Sequence, residues 1–250
     1  MARRFHEVKV WDLTVRLFHW INFASLLGLI GVGLVILTAG DLGVPTEGKI
    51  ALKQVHVLIG YVFAINLLIR IVWGFIGSGH ARWSTLLSFG SAYRQRLRDY
   101  IAARKAGGMP QFEGHDPLGQ VAVAVLYLLL LTQAATGLFL AGSDLYWPPF
   151  GSMIAEWVAA TGVDPGSLRP YGAKELLDSA AFDEMRALRK PIIEIHEYGF
   201  YALIAMGILH VAAVAIAEVR GGNGLVSAMI TGRKHLAAPV EEGKGEGRAD

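Results

Sequence analysis

Residues 192–218 read IIEIHEYGFYALIAMGILHVAAVAIAE, an apolar run carrying His196 and His210 fourteen positions apart. On an α-helix, fourteen steps bring a side chain back to within about 40° of its starting direction and about 21 Å further along the axis. Both imidazoles therefore share one helical face at two depths. Each needs a partner from elsewhere in the chain if it is a ligand.

The 250 residues are 53% hydrophobic and 18% charged, with a mean hydropathy of +0.42, too apolar for an ordinary soluble domain. Four stretches near 17–38, 54–76, 118–140 and 191–217 are each long enough to cross a hydrocarbon core. The expected fold is an all-α membrane protein, a four-transmembrane-helix bundle with a cytoplasmic amphipathic helix and a long periplasmic loop. Residues 1–235 form the transmembrane domain in this reading, and 236–250, rich in Gly, Glu and Ala, a disordered tail. The chain has no cysteine. That excludes disulfides, thiolate zinc sites, iron–sulfur ligation and thioether-linked haem.

Asp12 is placed to cap the first span. The run that follows is long and lacks a clear A-x-A cleavage site, so it reads as a retained span and not a signal peptide. Residues 39–53 are a Gly- and Pro-bearing turn region. Within 77–117, Leu86, Phe89, Tyr93, Leu97 and Tyr100 recur at steps of three and four among arginines, the pattern of an amphipathic helix on a lipid surface. The connection 141–190 is long and acid-leaning, with short helices expected near 153–160 and 174–188 and Trp147 and Trp157 as interfacial anchors. Fifteen Lys and Arg fall on the side of the two termini and seven on the other, with Arg70 inside the second span. The positive-inside bias places both termini in the cytoplasm.

Orientation makes the histidine depths comparable. His19 opens the first span and lies toward the cytoplasm; His56 opens the second, which runs inward, and lies outside. His196 is outer and His210 inner. Four histidines thus fall at two levels, two at each, and a six-coordinate haem iron needs two opposed axial ligands. The expected iron ligands are His56 with His196 and His19 with His210, holding two b-type haems. For a single histidine near a helix end the competing reading is an interfacial or hydrogen-bonded side chain, but ionisable groups within a membrane are rare and usually functional.

Gly60 and Gly199 follow His56 and His196, and Gly28, Gly31 and Gly33 line the first span, where a flat porphyrin or an ordinary close helix contact would equally use a missing side chain. Arg70, fourteen residues beyond His56, and Arg16, beside His19, are candidate cofactor-binding groups for haem propionates; the alternative is that both snorkel to the surface. His6, His80, His115 and His235 read as solvated.

Arg16-Leu17-Phe18-His19-Trp20, His56 with Gly60-Tyr61, the His196 and His210 pair, and Ala228-Met229-Ile230-Thr231-Gly232-Arg233 together resemble the bacterial di-haem cytochrome b subunits of nickel–iron hydrogenases and formate dehydrogenases and their stand-alone relatives. The resemblance covers nearly the whole chain. It implies four core helices in the bacterial inner membrane and electron exchange between a periplasmic redox subunit, iron–sulfur in kind, and membrane quinone. It also implies a quinone site near the cytoplasmic haem, where His115, Asp116 and Gln120 supply polar contacts.

Three functions follow. The first is a membrane electron conduit whose catalytic head lies on another chain, since this one has no phosphate loop and no nucleophile constellation. The second is a stand-alone oxidoreductase that takes electrons from a small periplasmic donor or a soluble cytochrome, with the acidic loop as docking face. The third is a transporter relaying protons through paired histidines. No nucleic-acid partner is expected.

Overall fold

In a computed structural model, residues 5–108, 110–221 and 224–237 are described. Four long helices dominate: α1 (Leu13–Thr38), α2 (Thr46–Ile76), α5 (Pro117–Leu145) and α7 (Ser179–Gly221). Between α2 and α5 lie α3 (Trp83–Leu86) and α4 (Ser91–Lys105); α6 (Gly151–Val158) sits between α5 and α7. Helix α8 (Leu225–Thr231) follows α7, and strands β1 (Phe5–Lys9) and β2 (Arg233–Ala237) flank the helical part of the chain.

All four long helices are apolar enough to cross a membrane. Leu27, Leu58, Ile65, Phe75, Leu128 and Ile208 are among the large apolar side chains left outward. In lipid such exposure costs nothing, while the backbone polar groups are satisfied within each helix. Asp12 starts α1 by accepting from the Val15 amide at 2.9 Å, and Asp116 starts α5 by accepting from Gly119 at 2.7 Å with Pro117 as first helical residue. Packing runs in chain order, α1 on α2, α2 on α5, α5 on α7. Phe18, Phe63, Leu67, Leu130 and Leu203 form one buried apolar cluster contributed by all four helices.

The helices outrun the predicted spans because their ends continue beyond the hydrocarbon. Helix α7 is the extreme case: its 43 residues begin at Ser179, absorbing most of the predicted short helix at 174–188. At 1.5 Å per residue it is about 65 Å long, twice a bilayer core. The predicted amphipathic helix is split between α3 and α4 by residues 87–90; in its second half Tyr93 is buried and its hydroxyl donates to the Pro117 carbonyl at 2.9 Å.

At the loop end, α6 packs Ile154, Ala155 and Val158 against Leu168 and Met185, and Asp144 pairs with both Lys53 and Arg189, joining α2, α5 and α7. Trp147 stacks on Tyr61 at 6.5 Å. At the opposite end β1 and β2 pair antiparallel, Phe5 with Ala237 through Lys9 with Arg233, which brings the two ends of the described chain together. This ribbon was not foreseen, and it takes Leu236 and Ala237 out of the predicted tail; Leu236 is buried. The remainder of that tail, 238–250, lies outside the described residues. Gly232, at φ +85°, accepts from the Val10 and Trp11 amides, and a Cβ there would lie 2.5 Å from the Trp11 oxygen.

Candidate functional site

Helices α2 and α7 bring His56 and His196 face to face near the loop end. Their ring centres are 6.4 Å apart, with planes at 73°. Two metal–nitrogen bonds of about 2 Å, plus about 1.2 Å from each nitrogen to its ring centre, span about 6.4 Å. The gap therefore fits one iron atom between two imidazoles. The walls fit as well. A Cβ at Gly33 on α1 would lie 3.5 Å from His56 Cε1, and one at Gly137 on α5 would lie 3.3 Å from His196 Cε1. Gly60, one turn beyond His56, has open space where its side chain would be. Gly199 serves another contact: it leaves room for the Gln133 amide, 2.3 Å from where a Cβ would stand.

The second level lies toward the termini. His19 stands on α1 and His210 on α7, and Gly207, one turn before His210, again faces open space. His19 Nδ1 is buried with no hydrogen-bond partner among the described residues, as is His56 Nδ1. Leu203, a member of the buried apolar cluster, lies seven residues from each α7 histidine, so an apolar side chain stands between the two levels on this helix.

The two arginines differ in setting. Arg70 is 2% exposed and does not snorkel. It donates to the Ala81 carbonyl at 2.9 Å and lies over the rings of Trp83 (4.8 Å), Tyr127 (5.4 Å) and Phe18 (6.0 Å), yet its Nε and Nη1 have no hydrogen-bond partner among the described residues. Arg16 donates to the Ile230 carbonyl and keeps a buried Nε with no hydrogen-bond partner among the described residues. A buried guanidinium with open donors is costly unless an anion completes it. Both therefore suit a carboxylate-bearing ligand at this level.

Of the polar residues near the start of α5, Asp116 is occupied as the helix cap. Gln120 is 4% exposed, accepts from Arg96 and donates toward the Thr85 and Ser88 carbonyls, each at 3.4 Å, fastening the α3 region to α5. His115 is not solvated as expected. It packs on Trp11 at 4.9 Å, and burial, reinforced by the charges of Lys234, His210, Arg70 and His80, holds it neutral to about pH 4. Lys234 is also buried, donating to the Phe112 and Gly114 carbonyls at 3.1 and 2.8 Å. Burial lowers its pKa to about 8 despite the nearby Asp116 carboxylate.

Sequence reasoning missed Gln133 and Thr136. Gln133 donates to the His196 carbonyl at 2.9 Å, and Thr136 Oγ1 lies 2.8 Å from His196 Nδ1. The available signal was the pair of polar residues one turn apart inside an apolar span.

A family model described as prokaryotic cytochrome b561 matches residues 10–232. The probable Ni/Fe-hydrogenase B-type cytochrome subunit of Rhizobium leguminosarum bv. viciae is 24% identical over 91% of this chain and 89% of its own length. The protein of the same description from Azotobacter chroococcum mcd 1 is 23% identical over 92% and 90%. A probable Ni/Fe-hydrogenase 1 B-type cytochrome subunit of Escherichia coli K12 is 24% identical over 51% of the chain and 57% of its own length. No solved structure matches. The chain belongs to the prokaryotic cytochrome b561 family, as a multi-pass membrane cytochrome of b type that carries haem in electron transport.

Proposed function

We propose that the chain holds two b-type haems, one between His56 and His196 and one between His19 and His210, and conducts electrons between a periplasmic redox subunit and membrane quinone. The 6.4 Å separation of His56 and His196 is the observation that carries the reading. The second site is supported by its repetition one α7 register along, about 21 Å away. Its open Gly207 cradle and the unpaired donors of Arg16 and Arg70, suited to propionates, support it further.

Bound haem supplies the one-electron couple. The chain's own residues would supply the histidine nitrogens that hold the iron, an apolar cluster around Leu203 that keeps water from the bundle, and the arginines that balance charge at the terminal end. The relatives described as Ni/Fe-hydrogenase B-type cytochrome subunits support a partner of hydrogenase class; in this reading it carries iron–sulfur groups and docks at the loop face. The charge bias of fifteen to seven supports a cytoplasmic terminal face. Quinone is assigned to that face, beside His115 and the start of α5. His115 lies within electrostatic reach of His210, while Asp116 and Gln120 shape the wall from their structural positions.

The test uses full-length protein in nanodiscs with a quinol analogue and a soluble reductant for the loop face. In His196→Ala, quinol should still reduce the remaining haem while oxidation of the loop-face donor is lost. Persistence of both half-reactions would overturn the conduit.

A further inference from the structure

Helix α5 contributes no iron ligand in the di-haem reading, yet three residues on one of its faces, Gln133, Thr136 and Gly137, converge on His196. The Thr136 hydroxyl has one hydrogen to give. Its Oγ1 lies 2.7 Å from the Thr132 carbonyl oxygen, one turn back, and an oxygen pair that close requires the hydrogen between them. Thr136 must then meet His196 Nδ1, at 2.8 Å, as an acceptor. The imidazole is consequently the Nδ1–H tautomer, with the Nε2 lone pair left for a metal. On the opposite side of the same gap, His56 Nδ1 is buried with no partner among the described residues, and the same holds for His19 at the other level.

We propose that Thr136 is a positioning residue that fixes the His196 tautomer and lowers the reduction potential of the outer haem relative to an otherwise identical site without this bond. This inference rests on His56 and His196 being the axial pair. An Nδ1–H that donates to an oxygen carries more electron density onto Nε2, and a more basic axial nitrogen favours the oxidised iron. The Gln133 amide, bonded to the His196 carbonyl, fastens the α7 backbone to α5 at this residue, so the ring is presented to Thr136. Gly199 leaves that amide its path. The two levels thereby acquire different ligand environments from one helix, although both draw a histidine from α7.

The experiment is a spectroelectrochemical titration of the full-length protein in nanodiscs, for wild type, Thr136→Val and Thr136→Ser, with haem counted in each sample. Valine keeps the shape and removes the acceptor; serine restores it. In Thr136→Val two haems should remain. The component abolished by His56→Ala should rise in potential by an amount corresponding to roughly a tenfold change in its oxidised-to-reduced ratio, about 59 mV for one electron. Thr136→Ser should return it to the wild-type value.

Two haems with both potentials unchanged in Thr136→Val, or a shift confined to the component that survives His56→Ala, would overturn the role of Thr136. A wild-type protein carrying one haem or none, or one in which His56→Ala removes no haem, would instead overturn the axial pair itself.

Discussion

Raising the pH from 7 to 9.5 should tighten the ribbon of β1 and β2 against the bundle, because Lys234 is buried with its pKa lowered from 10.5 to about 8. When the ribbon detaches, the ammonium regains water and its ordinary pKa. Between pH 8 and 10.5 the detached state therefore binds more protons than the docked one, and docking gains stability as pH rises through that window. The full effect is about 3 kcal/mol, since each pKa unit is worth about 1.4 kcal/mol. Between pH 7 and 9.5 the gain is about 2 kcal/mol, roughly a 25-fold fall in the open fraction. The neutral amine still donates to Phe112 and Gly114, so those bonds survive the titration. Hydrogen exchange of the ribbon amides, corrected for intrinsic rates, measures the opening equilibrium. Lys234→Met should abolish the extra pH dependence, whatever it does to the absolute protection. If exchange in wild type and Lys234→Met responds identically to pH, the buried ammonium is not what limits docking.

Gly137→Val should remove the outer haem selectively: its Cβ would stand 3.3 Å from His196 Cε1, and its methyls must push the ring off its axis. The check is loss of about half the pigment with the helical content unchanged. Asp144→Ala should leave the half-buried cations of Lys53 and Arg189 without their shared partner. It should lower the thermal stability of the loop end by about 1–3 kcal/mol, measured by proteolysis of the 146–178 connection in nanodiscs. Arg70→Leu should remove a buried cation whose Nε and Nη1 are open. If a propionate completes it, the inner haem's potential falls and the outer one's stays, which separate redox titrations resolve.

The bilayer made much of this architecture legible. A hydrocarbon core demands about twenty apolar residues per crossing, and helical periodicity then fixes which side chains share a face. His56 and His196 share a depth by sequence position alone, and their rings stand 6.4 Å apart. What stayed hidden depends on contacts between segments distant in sequence. FHEVK and RKHLA are five-residue segments rich in charge, and neither shows that it will pair with the other end of the chain. His115 read as solvated because its covers, Trp11 and Lys234, arrive from those same two ends. Asp116 and Gln120 were expected to offer polar contacts to a ligand, but local helix capping and loop fastening absorb them. The charged ALRKP stretch before the fourth span masked the continuity of α7, which carries Pro191 within its helix. Gln133 and Thr136 were visible as polar residues in an apolar span. Only the packing of α5 on α7 tells which group they serve.

Two haems, each held by one histidine from α7 and one from another helix, can be counted by pyridine haemochrome analysis of purified full-length protein and of the single His→Ala variants at 19, 56, 196 and 210. Two haems per wild-type chain are expected, and one in each variant. His56→Ala and His196→Ala should leave the same spectral component, and His19→Ala and His210→Ala the other. One haem in wild type, two in any of the four variants, or a different pairing of the surviving spectra would contradict the account.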